Sequence, residues 1–345
     1  ALVGPSCQNT SLFSHLRPKA SQSLQFLQLL FLVPKTLKNM TTPIKTLLVP
    51  HLGGIHVGHR VSASLLDPAK PTLVLFNPFT TTADYFLPQF QDKALTDALN
   101  LVAIEPLGHG KTQLKKTESF THWDSAIMSL QLLDILGIDK DFTSGTSQGG
   151  WIATRMALLA SDRVKGVIPI GSSMDFESPR SRELGCWDGP EACSGLVGIA
   201  GDPAPAHDFE SGDAYCDFLM KIGYGVAVTP EIRDFWAESL KKNYSRDEGK
   251  RRICMAAVCL AGRGGLRERL TYIRCPVLWF QGTDDVVFSV RQAEEDMKLF
   301  TNSAAVKLVT CKGGVHFLGS THGETIQREL LEFISTWNKG GKSVL

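Results

Sequence analysis

A serine, an aspartate and a histidine occur in this order along the chain, each close to glycines and each after an apolar run. Ser147 lies in Gly145-Thr146-Ser147-Gln148-Gly149-Gly150, which fits the pattern Gly-x-Ser-x-Gly, while Asp285 and His316 follow later apolar runs. On a sharp strand-to-helix turn, a serine hydroxyl is exposed to a neighbouring base, and side chains in place of the flanking glycines would collide with the strand and helix. The sequence therefore predicts nucleophilic catalysis if the three residues meet at one edge of a sheet.

Predicted strands and helices alternate along most of the chain. The predicted strands cover residues 44–49, 56–66, 72–76, 101–104, 142–144, 164–170, 275–280 and 305–309, and the predicted helices cover residues 83–100, 121–136, 151–159, 290–300 and 324–337. The first two strands, divided by Gly53-Gly54, read as an antiparallel pair. The remaining alternation predicts an α/β fold with a doubly wound, mostly parallel sheet covered by helices on both faces. Ligands collect at the carboxyl ends of parallel strands, where Asp285 and His316 are expected.

The alternation stops between residues 175 and 266, where helices are predicted around residues 214–222 and 230–240. A long block between two sheet strands reads as an inserted helical cap, which divides the core into residues 40–174 and 267–345. Residues 1–39 are expected to form an extension outside the fold or a targeting segment. The first 66 residues contain no Asp or Glu, and the run ending at Val33 has the period of a short amphipathic helix.

These features resemble those of the α/β-hydrolase superfamily over roughly residues 44–338. The resemblance rests on a combination: the serine turn at residues 145–149, the Gly-x-x-Asp of Gly282 to Asp285, the Gly-x-His of Gly314 to His316, and the chain order Ser, Asp, His. The turn from Glu105 to Gly110 also resembles the family's Asp-x-x-Gly-His-Gly turn, with Glu in place of Asp. The resemblance therefore implies a serine hydrolase with a catalytic triad and a helical cap.

Carried over by position, the resemblance makes Ser147 the nucleophile, His316 the base, and Asp285 the acid that orients the imidazole and stabilises its protonated form. The residues that compete for these roles are Asp284 and Asp175 for the acid, and His322 and His109 for the base. The family's Gly-x-x-Asp spacing selects Asp285 over Asp284, although some members take the acid from the position of Asp175. His322 is expected at a helix start or on the surface, and His109 in a structural turn near the site.

The oxyanion hole of this family uses two backbone N–H groups. The residue after the nucleophile supplies the first, which is the Gln148 amide. The second comes from the loop after the third strand, which reads Asn77-Pro78-Phe79-Thr80 here instead of the His-Gly of many relatives. Pro78 has no N–H, so Phe79 is the expected donor, with the Asn77 side chain as the alternative.

Aromatic residues are frequent in the predicted cap and suggest an apolar substrate pocket, although several are expected to form the cap's own core. The residues expected to contact substrate are Asn77, Thr80, Trp187, Phe218 and Trp236. A small, largely apolar molecule is therefore the expected partner of the site.

The amino-acid composition argues against several other classes of function. The 36 Lys and Arg residues balance 35 Asp and Glu, so a net charge of +1 offers no basic surface for nucleic acid. The eight cysteines show no zinc-type spacing, and Cys186 and Cys193 are close enough to bridge. No cofactor, metal or integral membrane segment is expected, and the oligomeric state stays open. A cytoplasmic location is the default, with mitochondria as the alternative; Ser343-Val344-Leu345 lacks the basic residue of a peroxisomal signal.

A serine at position 147 disfavours the dehalogenases and epoxide hydrolases of this fold, which use an aspartate nucleophile. The sequence therefore predicts hydrolysis of a carboxylic ester, lactone or thioester through an acyl-serine intermediate, with no cofactor. Two alternatives stay open: an acyltransferase that uses the same triad, and a ligand-binding protein of this fold with little turnover.

Overall fold

The computed structural model of the protein describes residues 42–114, 119–202 and 204–338. The predicted N-terminal extension of residues 1–39 and the C-terminal Ser343-Val344-Leu345 lie outside the described residues. The described part of the chain forms an α/β fold around a central sheet.

The central sheet is mostly parallel with an antiparallel beginning. Its strands are β1 Lys45–Val49, β2 Ile55–Val61, β3 Thr72–Phe76, β4 Asn100–Ile104, β5 Gln113–Leu114, β6 Asp141–Thr146, β7 Val164–Ile170, β8 Val277–Gly282 and β9 Val306–Cys311. They lie in the order β1-β2-β4-β3-β6-β7-β8-β9, with β5 paired to β2. Strands β1, β4 and β5 run antiparallel to β2, and the pairs from β4 onward to β9 are parallel. This arrangement confirms the predicted fold class.

The central strands are apolar along their whole length because both faces of the sheet are covered. Every residue of β3, β4, β6 and β8 is buried. Alternate side chains point to opposite faces: Val74 and Phe76 pack into one buried cluster, and Leu73 and Leu75 into another. The sheet therefore separates two hydrophobic cores.

Helices cover both of these cores. They are α1 Leu87–Gln91, α2 Lys93–Ala98, α3 His122–Ile135, α4 Gln148–Leu159, α5 Pro179–Glu183, α6 Gly189–Gly198, α7 Asp213–Tyr224, α8 Pro230–Asn243, α9 Arg246–Ala261, α10 Val290–Met297, α11 Leu318–Thr321 and α12 Gly323–Asn338, with 3₁₀ helices at His51–Gly53, Ala83–Phe86, Gly225–Ala227 and Arg267–Tyr272. Helices α3 and α4 contribute to the first cluster and α12 to the second. Among the described residues, no helix has both the length and the apolar character needed to cross a bilayer.

Helices α5 to α9 lie between β7 and β8, where the sequence predicts a helical insertion; we refer to residues 175–266 as the cap segment. The sequence predicts helices near α7 and α8 but gives no signal for α6 and α9. Glycine and proline residues interrupt the apolar pattern of α6, so the sequence does not predict this helix. Proline nevertheless suits the first turn of a helix, where Pro190 lies, and Asp188 caps the helix by accepting a hydrogen bond from the Glu191 N–H at 3.2 Å. Cys186 and Cys193 are buried and carry no disulfide.

Two predicted elements have different bounds in the structure. The predicted helix over residues 83–100 is divided, because Asp92 leaves the helical conformation and caps α2 by accepting from the Leu95 N–H at 2.9 Å. Strand β2 ends at Val61 rather than at residue 66, and Leu65 is exposed. Neither change moves the ends of the strands that approach Ser147.

Candidate active site

Ser147 lies on the tight turn between β6 and α4, with φ and ψ angles of 55° and −119°. This conformation is unfavourable for a residue with a side chain, and two hydrogen bonds hold it. The Ser147 N–H donates to the Ile170 carbonyl at 3.0 Å, and the Ser172 hydroxyl donates to the Ser147 carbonyl at 2.9 Å. A Cβ at Gly145 would overlap with the backbone of Gly149, and one at Gly149 would overlap with β3. The flanking glycines are therefore required by the close approach of strand and helix.

Asp285 and His316 form a buried hydrogen-bonded pair at the ends of β8 and β9. The His316 Nδ1 lies 3.0 Å from Asp285 Oδ2 and 3.1 Å from Oδ1. The carboxylate also accepts hydrogen bonds from the backbone of Val287 at 2.8 Å and Phe288 at 3.1 Å, and from Gln281 Nε2 at 2.9 Å. Because the carboxylate accepts the Nδ1–H, the imidazole Nε2 is left as a proton acceptor.

The other candidate acids do not face His316. Asp284 is exposed and accepts a hydrogen bond from its neighbour's hydroxyl. Asp175 is buried, but its carboxylate accepts from the Phe176 N–H at 2.8 Å and the Ser178 hydroxyl at 3.0 Å. The geometry therefore pairs His316 with Asp285.

His322 and His109 also lie away from the expected position of the base. His322 follows α11 and contacts Thr321 and the Lys312 carbonyl. His109 is buried, and its Nδ1 lies 2.9 Å from the Leu107 carbonyl, so this nitrogen donates. His322 therefore has a local backbone role.

His109 instead braces the serine turn. Its Nε2 accepts from the side-chain amide of Gln148 at 2.9 Å, and the same amide lies 3.4 Å from the Asn77 carbonyl. Burial lowers the pKa of His109 to about 4, which favours the neutral ring that this arrangement needs. The turn after β4 is thus linked to both the serine turn and the loop after β3.

The Glu105 turn is held by its buried carboxylate, which accepts hydrogen bonds from the Ala83 N–H at 3.0 Å and the Lys111 N–H at 2.6 Å. Burial raises the pKa of Glu105, and these donors oppose the shift. Gly110 has a φ of 49°, and a Cβ there would overlap with the Glu105 carboxylate. Glu105 therefore fills the place of the family's Asp as a structural residue.

A cavity of about 40 Å³ lies between residues of the core and residues of the cap segment, with room for about three water molecules. The residues that line it are Pro78, Phe79, Ser147, Trp151, Glu177, Trp187, Ala192, Cys193, Leu196, Tyr215, Phe218, Leu219, Ile222, Leu260, Val287, Phe288, His316 and Phe317. Ser147 and His316 thus line one mostly apolar cavity. A substrate larger than a few atoms requires the lining side chains to move, and Phe218, which is 44% exposed, lies at its outer side.

The loop after β3 contributes Phe79 to this cavity. Gln148 is the first residue of α4, where the backbone N–H has no partner within the helix. The Asn77 side chain is directed elsewhere, since it donates to the Pro78 carbonyl at 3.2 Å and the Thr81 carbonyl at 2.9 Å. Phe79 thus lines the same cavity as Ser147, whereas the Asn77 amide is engaged with its own loop.

The expected substrate contacts divide into two groups. Trp187 and Phe218 line the cavity, whereas Asn77, Thr80 and Trp236 are not among its lining residues. The Thr80 hydroxyl lies 2.9 Å from the hydroxyl of Tyr215, which does line the cavity. The ring of Trp236 is buried within the cap segment, and its Nε1–H donates to the Tyr224 hydroxyl at 3.2 Å.

Sequence reasoning missed Glu177, a buried acid that lines the cavity and pairs with the guanidinium of Arg263. Its position, shortly after β7, places it at the same sheet edge as Asp285. The position after β7 was the signal available in the sequence. Of the acids that follow this strand, only Asp175 was expected to compete for the role of catalytic acid. Trp151, one turn beyond Ser147, was also expected only as a helical residue and lines the cavity.

Sequence comparison finds a match between residues 71–321 and the α/β-hydrolase fold family. A protein from Stutzerimonas stutzeri (strain A1501), named carbamate hydrolase RutD with the activity marked as provisional, is 29% identical over 122 residues. That alignment covers 35% of this chain and 44% of the relative, so the chain matches less than half of the relative's length.

Several solved structures have a similar fold. An esterase from Thermogutta terrifontis superposes with a TM-score of 0.67 at 16% identity, covering 84% of this chain and 98% of that one. The enol-lactonase from Burkholderia xenovorans LB400 has a TM-score of 0.66 at 17% identity, covering 84% and 100%. A carboxylesterase structure from Nitrososphaera gargenis has a TM-score of 0.65 at 20% identity, covering 85% and 99%. At these identities the likeness establishes the fold.

Proposed function

The chain belongs to the α/β-hydrolase family, and we propose that it is a serine hydrolase that cleaves a carboxylic ester, lactone or thioester of a small, largely apolar substrate. The observation that carries this proposal is the placement of His316. Its Nδ1 lies 3.0 Å from Asp285 Oδ2, and its ring lines the same cavity as Ser147. A nucleophile, a base and an acid that orients the base are the three groups needed for acyl transfer.

In the first half of the reaction, the Ser147 hydroxyl attacks the substrate carbonyl while His316 Nε2 takes the hydroxyl proton. Asp285 stabilises the imidazolium that forms. The negative charge on the carbonyl oxygen is stabilised by the backbone N–H groups of Gln148 and Phe79, and one such donor is worth about 3 to 4 kcal/mol of barrier. The carbon–oxygen or carbon–sulfur bond then breaks, and the imidazolium gives its proton to the leaving group.

In the second half, water attacks the acyl-serine ester and gives one proton to His316. The second tetrahedral intermediate collapses, the free acid leaves, and the proton returns to the Ser147 oxygen. Apart from the substrate and the attacking water, the groups that act in this cycle all belong to the protein. The preference for an apolar substrate is supported by the aromatic and aliphatic side chains that line most of the cavity.

A fluorophosphonate probe with mass-spectrometric mapping tests the assignment of the nucleophile. Ser147 should carry the label, and Ser147→Ala should lose both labelling and ester turnover, by about 10⁴-fold or more. Asp284→Asn is the matched control, because this exposed side chain does not contact His316. Ester turnover that survives in Ser147→Ala would sink the proposal, and saturable ester binding without turnover in the unmodified protein would favour a ligand-binding role.

Acyl transfer to an alcohol or thiol is the second candidate, favoured by the burial of the nucleophile. Ser147 is 8% exposed and His316 is 4% exposed, and the side chains around them are mostly apolar. An enclosed apolar site can favour an organic acceptor over water. Supplying small alcohols and thiols with an activated ester distinguishes the two, since a transferase forms acylated product faster than free acid at millimolar acceptor.

A further inference from the structure

Glu177 is a buried carboxylate in an otherwise mostly apolar cavity wall. It lies in the loop after β7, is 3% exposed, and lines the cavity that contains Ser147 and His316. Its backbone has a φ of 53°, a left-handed conformation that a residue with a side chain rarely adopts. Such strain persists only where the surroundings hold it, and it is concentrated at functional sites.

The two carboxylate oxygens of Glu177 have different surroundings. Oε1 is contacted by the guanidinium of Arg263 and accepts a hydrogen bond from Trp187 Nε1 at 3.1 Å. Oε2 is buried and has no hydrogen-bond partner among the described residues. A buried acceptor without a donor is costly, and native proteins leave few of them. One oxygen is thus fixed in place, and the other is unsatisfied.

Arg263 balances the negative charge of Glu177 in this cavity wall. Its guanidinium donates to the Leu260 carbonyl at 2.7 Å and stacks on the ring of Trp151 at 3.3 Å. Burial raises the pKa of Glu177 and lowers that of Arg263, and the opposite charge of each partner opposes these shifts. The carboxylate that contributes to this wall is therefore already balanced by a buried cation.

We propose that Glu177 Oε2 accepts a hydrogen bond from a hydroxyl group of the substrate, so that the preferred substrates are neutral hydroxylated esters or lactones. This inference rests on the proposed hydrolase function, whose substrate class it specifies. A substrate hydroxyl supplies the donor that Oε2 lacks, while the rest of the molecule packs against apolar side chains. Glu177 is then a specificity residue, because a substrate with a methyl group in place of the hydroxyl leaves Oε2 unsatisfied.

The balanced charge argues for a neutral donor. A substrate ammonium would be attracted by Glu177 but repelled by the guanidinium of Arg263. A substrate carboxylate would be attracted by Arg263 but repelled by Glu177. Either ion would be desolvated in an apolar cavity without a full partner, which is expensive. A hydroxyl group has neither penalty.

The inference is tested with pairs of p-nitrophenyl butyrates that carry either a hydroxyl or a methyl group at carbon 2 or 3. For at least one position, the unmodified protein should have a kcat/KM about tenfold or more higher for the hydroxy ester than for its methyl counterpart. The ratio is measured within one protein sample, so the fraction of active enzyme does not affect it.

Glu177→Gln should lower this preference. Arg263 lies against Oε1 and Trp187 donates to it, so the glutamine carbonyl is expected there and the amide NH₂ takes the place of Oε2. The NH₂ group does not accept the hydroxyl proton but can donate to the hydroxyl oxygen, so the ratio should fall only in part. Glu177→Asp, which withdraws the carboxylate from the cavity, should bring the ratio to near one.

Asp284→Asn is the control, because this exposed side chain does not line the cavity; the hydroxyl preference should persist. A ratio near one at every position in the unmodified protein, or a preference that Glu177→Gln and Glu177→Asp both leave unchanged, would overturn the inference. Normal turnover of the methyl esters in either case would leave the proposed hydrolase function intact. Failure of that function appears instead as an unlabelled Ser147 and no turnover of any ester.

Discussion

Two buried carboxylates lie at neighbouring strand ends of this sheet, and they differ in how their oxygens are bonded. Asp285, after β8, accepts hydrogen bonds on both oxygens, from two backbone N–H groups, from Gln281 and from His316. Glu177, after β7, has one oxygen contacted by Arg263 and Trp187 and the other without a partner among the described residues. A fully bonded acid is suited to holding a base, and a half-bonded acid is suited to binding a donor.

The difference follows from where the donors come from. The donors to Asp285 include backbone N–H groups of its own loop, two and three residues further along the chain. The donors to Glu177 are side chains from other parts of the cap segment, Trp187 and Arg263. The Asp285 carboxylate, in the core, is therefore held largely by the backbone of its own loop. The Glu177 carboxylate, in the cap segment, is held by side chains that are distant in the sequence.

Asp285→Asn should give the largest loss of activity among these variants. A small loss would contradict the difference drawn between Asp285 and Glu177. The amide still packs, but it no longer stabilises the His316 imidazolium and can favour the wrong tautomer, so kcat should fall about 10⁴-fold for every ester alike. Steady-state kinetics on the hydroxy and methyl ester pairs measures this. A selective loss on hydroxy esters alone would assign to Asp285 the role proposed here for Glu177.

His109, in the core, gives a prediction for how the stability of the protein depends on pH. Its folded-state pKa of about 4 lies below the usual 6.5, so the unfolded chain binds the proton more readily. The contribution of the neutral ring to stability is complete above pH 6.5 and is lost as the pH falls towards 4, by about 3 kcal/mol.

Urea unfolding of the natural protein and of His109→Gln, at pH 7 and pH 4, isolates this contribution from those of other titrating groups. The natural protein should lose about 3 kcal/mol more than the variant. Equal losses in the two proteins would mean that His109 is not held neutral and that the brace to Gln148 has another form.

Paired glycine variants compare the rigidity of the two regions directly. A Cβ at Gly149 would overlap with the Phe76 carbonyl, whereas a Cβ at Gly195, within α6, has nothing within 4 Å. Gly149→Ala should therefore destabilise the protein by about 2 kcal/mol or more. Gly195→Ala should stabilise it by about 0.5 to 1 kcal/mol, because alanine loses less backbone entropy in a helix. Thermal unfolding measures both, and similar shifts would contradict the structural difference.

The same division explains what could be predicted from the sequence. Strand β3 is predicted to the residue because its apolar run is bounded by proline on either side, and the serine turn because its glycines are required by close backbone approach. Both signals are local. The choice of Asp285 over Asp284 came from the Gly-x-x-Asp spacing of the family that the chain resembles, and His316 Nδ1 lies 3.0 Å from Asp285 Oδ2.

The cap segment could not be predicted to this depth. Glu177 and Arg263 are 86 positions apart in the printed sequence (263 minus 177), and no local pattern announces that they pair. Tryptophan is equally suited to a cavity wall and to a helical core, so composition alone could not separate Trp187 from Trp236. Trp187 lies in the loop between α5 and α6 and Trp236 lies on α8, so the choice depends on how these elements pack in three dimensions.

Trp236 provides the smallest effect and tests that distinction within the cap segment. Trp236→Phe keeps an aromatic ring but removes the donor to the Tyr224 hydroxyl and some buried volume, so the free energy of unfolding should fall by about 1 kcal/mol. Because Trp236 does not line the cavity, the hydroxy-to-methyl ester ratio should not change. Phe218→Leu is the contrasting variant, since it alters the outer side of the cavity and should change KM for bulky esters with little effect on stability. If Trp236→Phe instead shifted ester selectivity as strongly as Phe218→Leu, the cap segment would present a different face to the substrate.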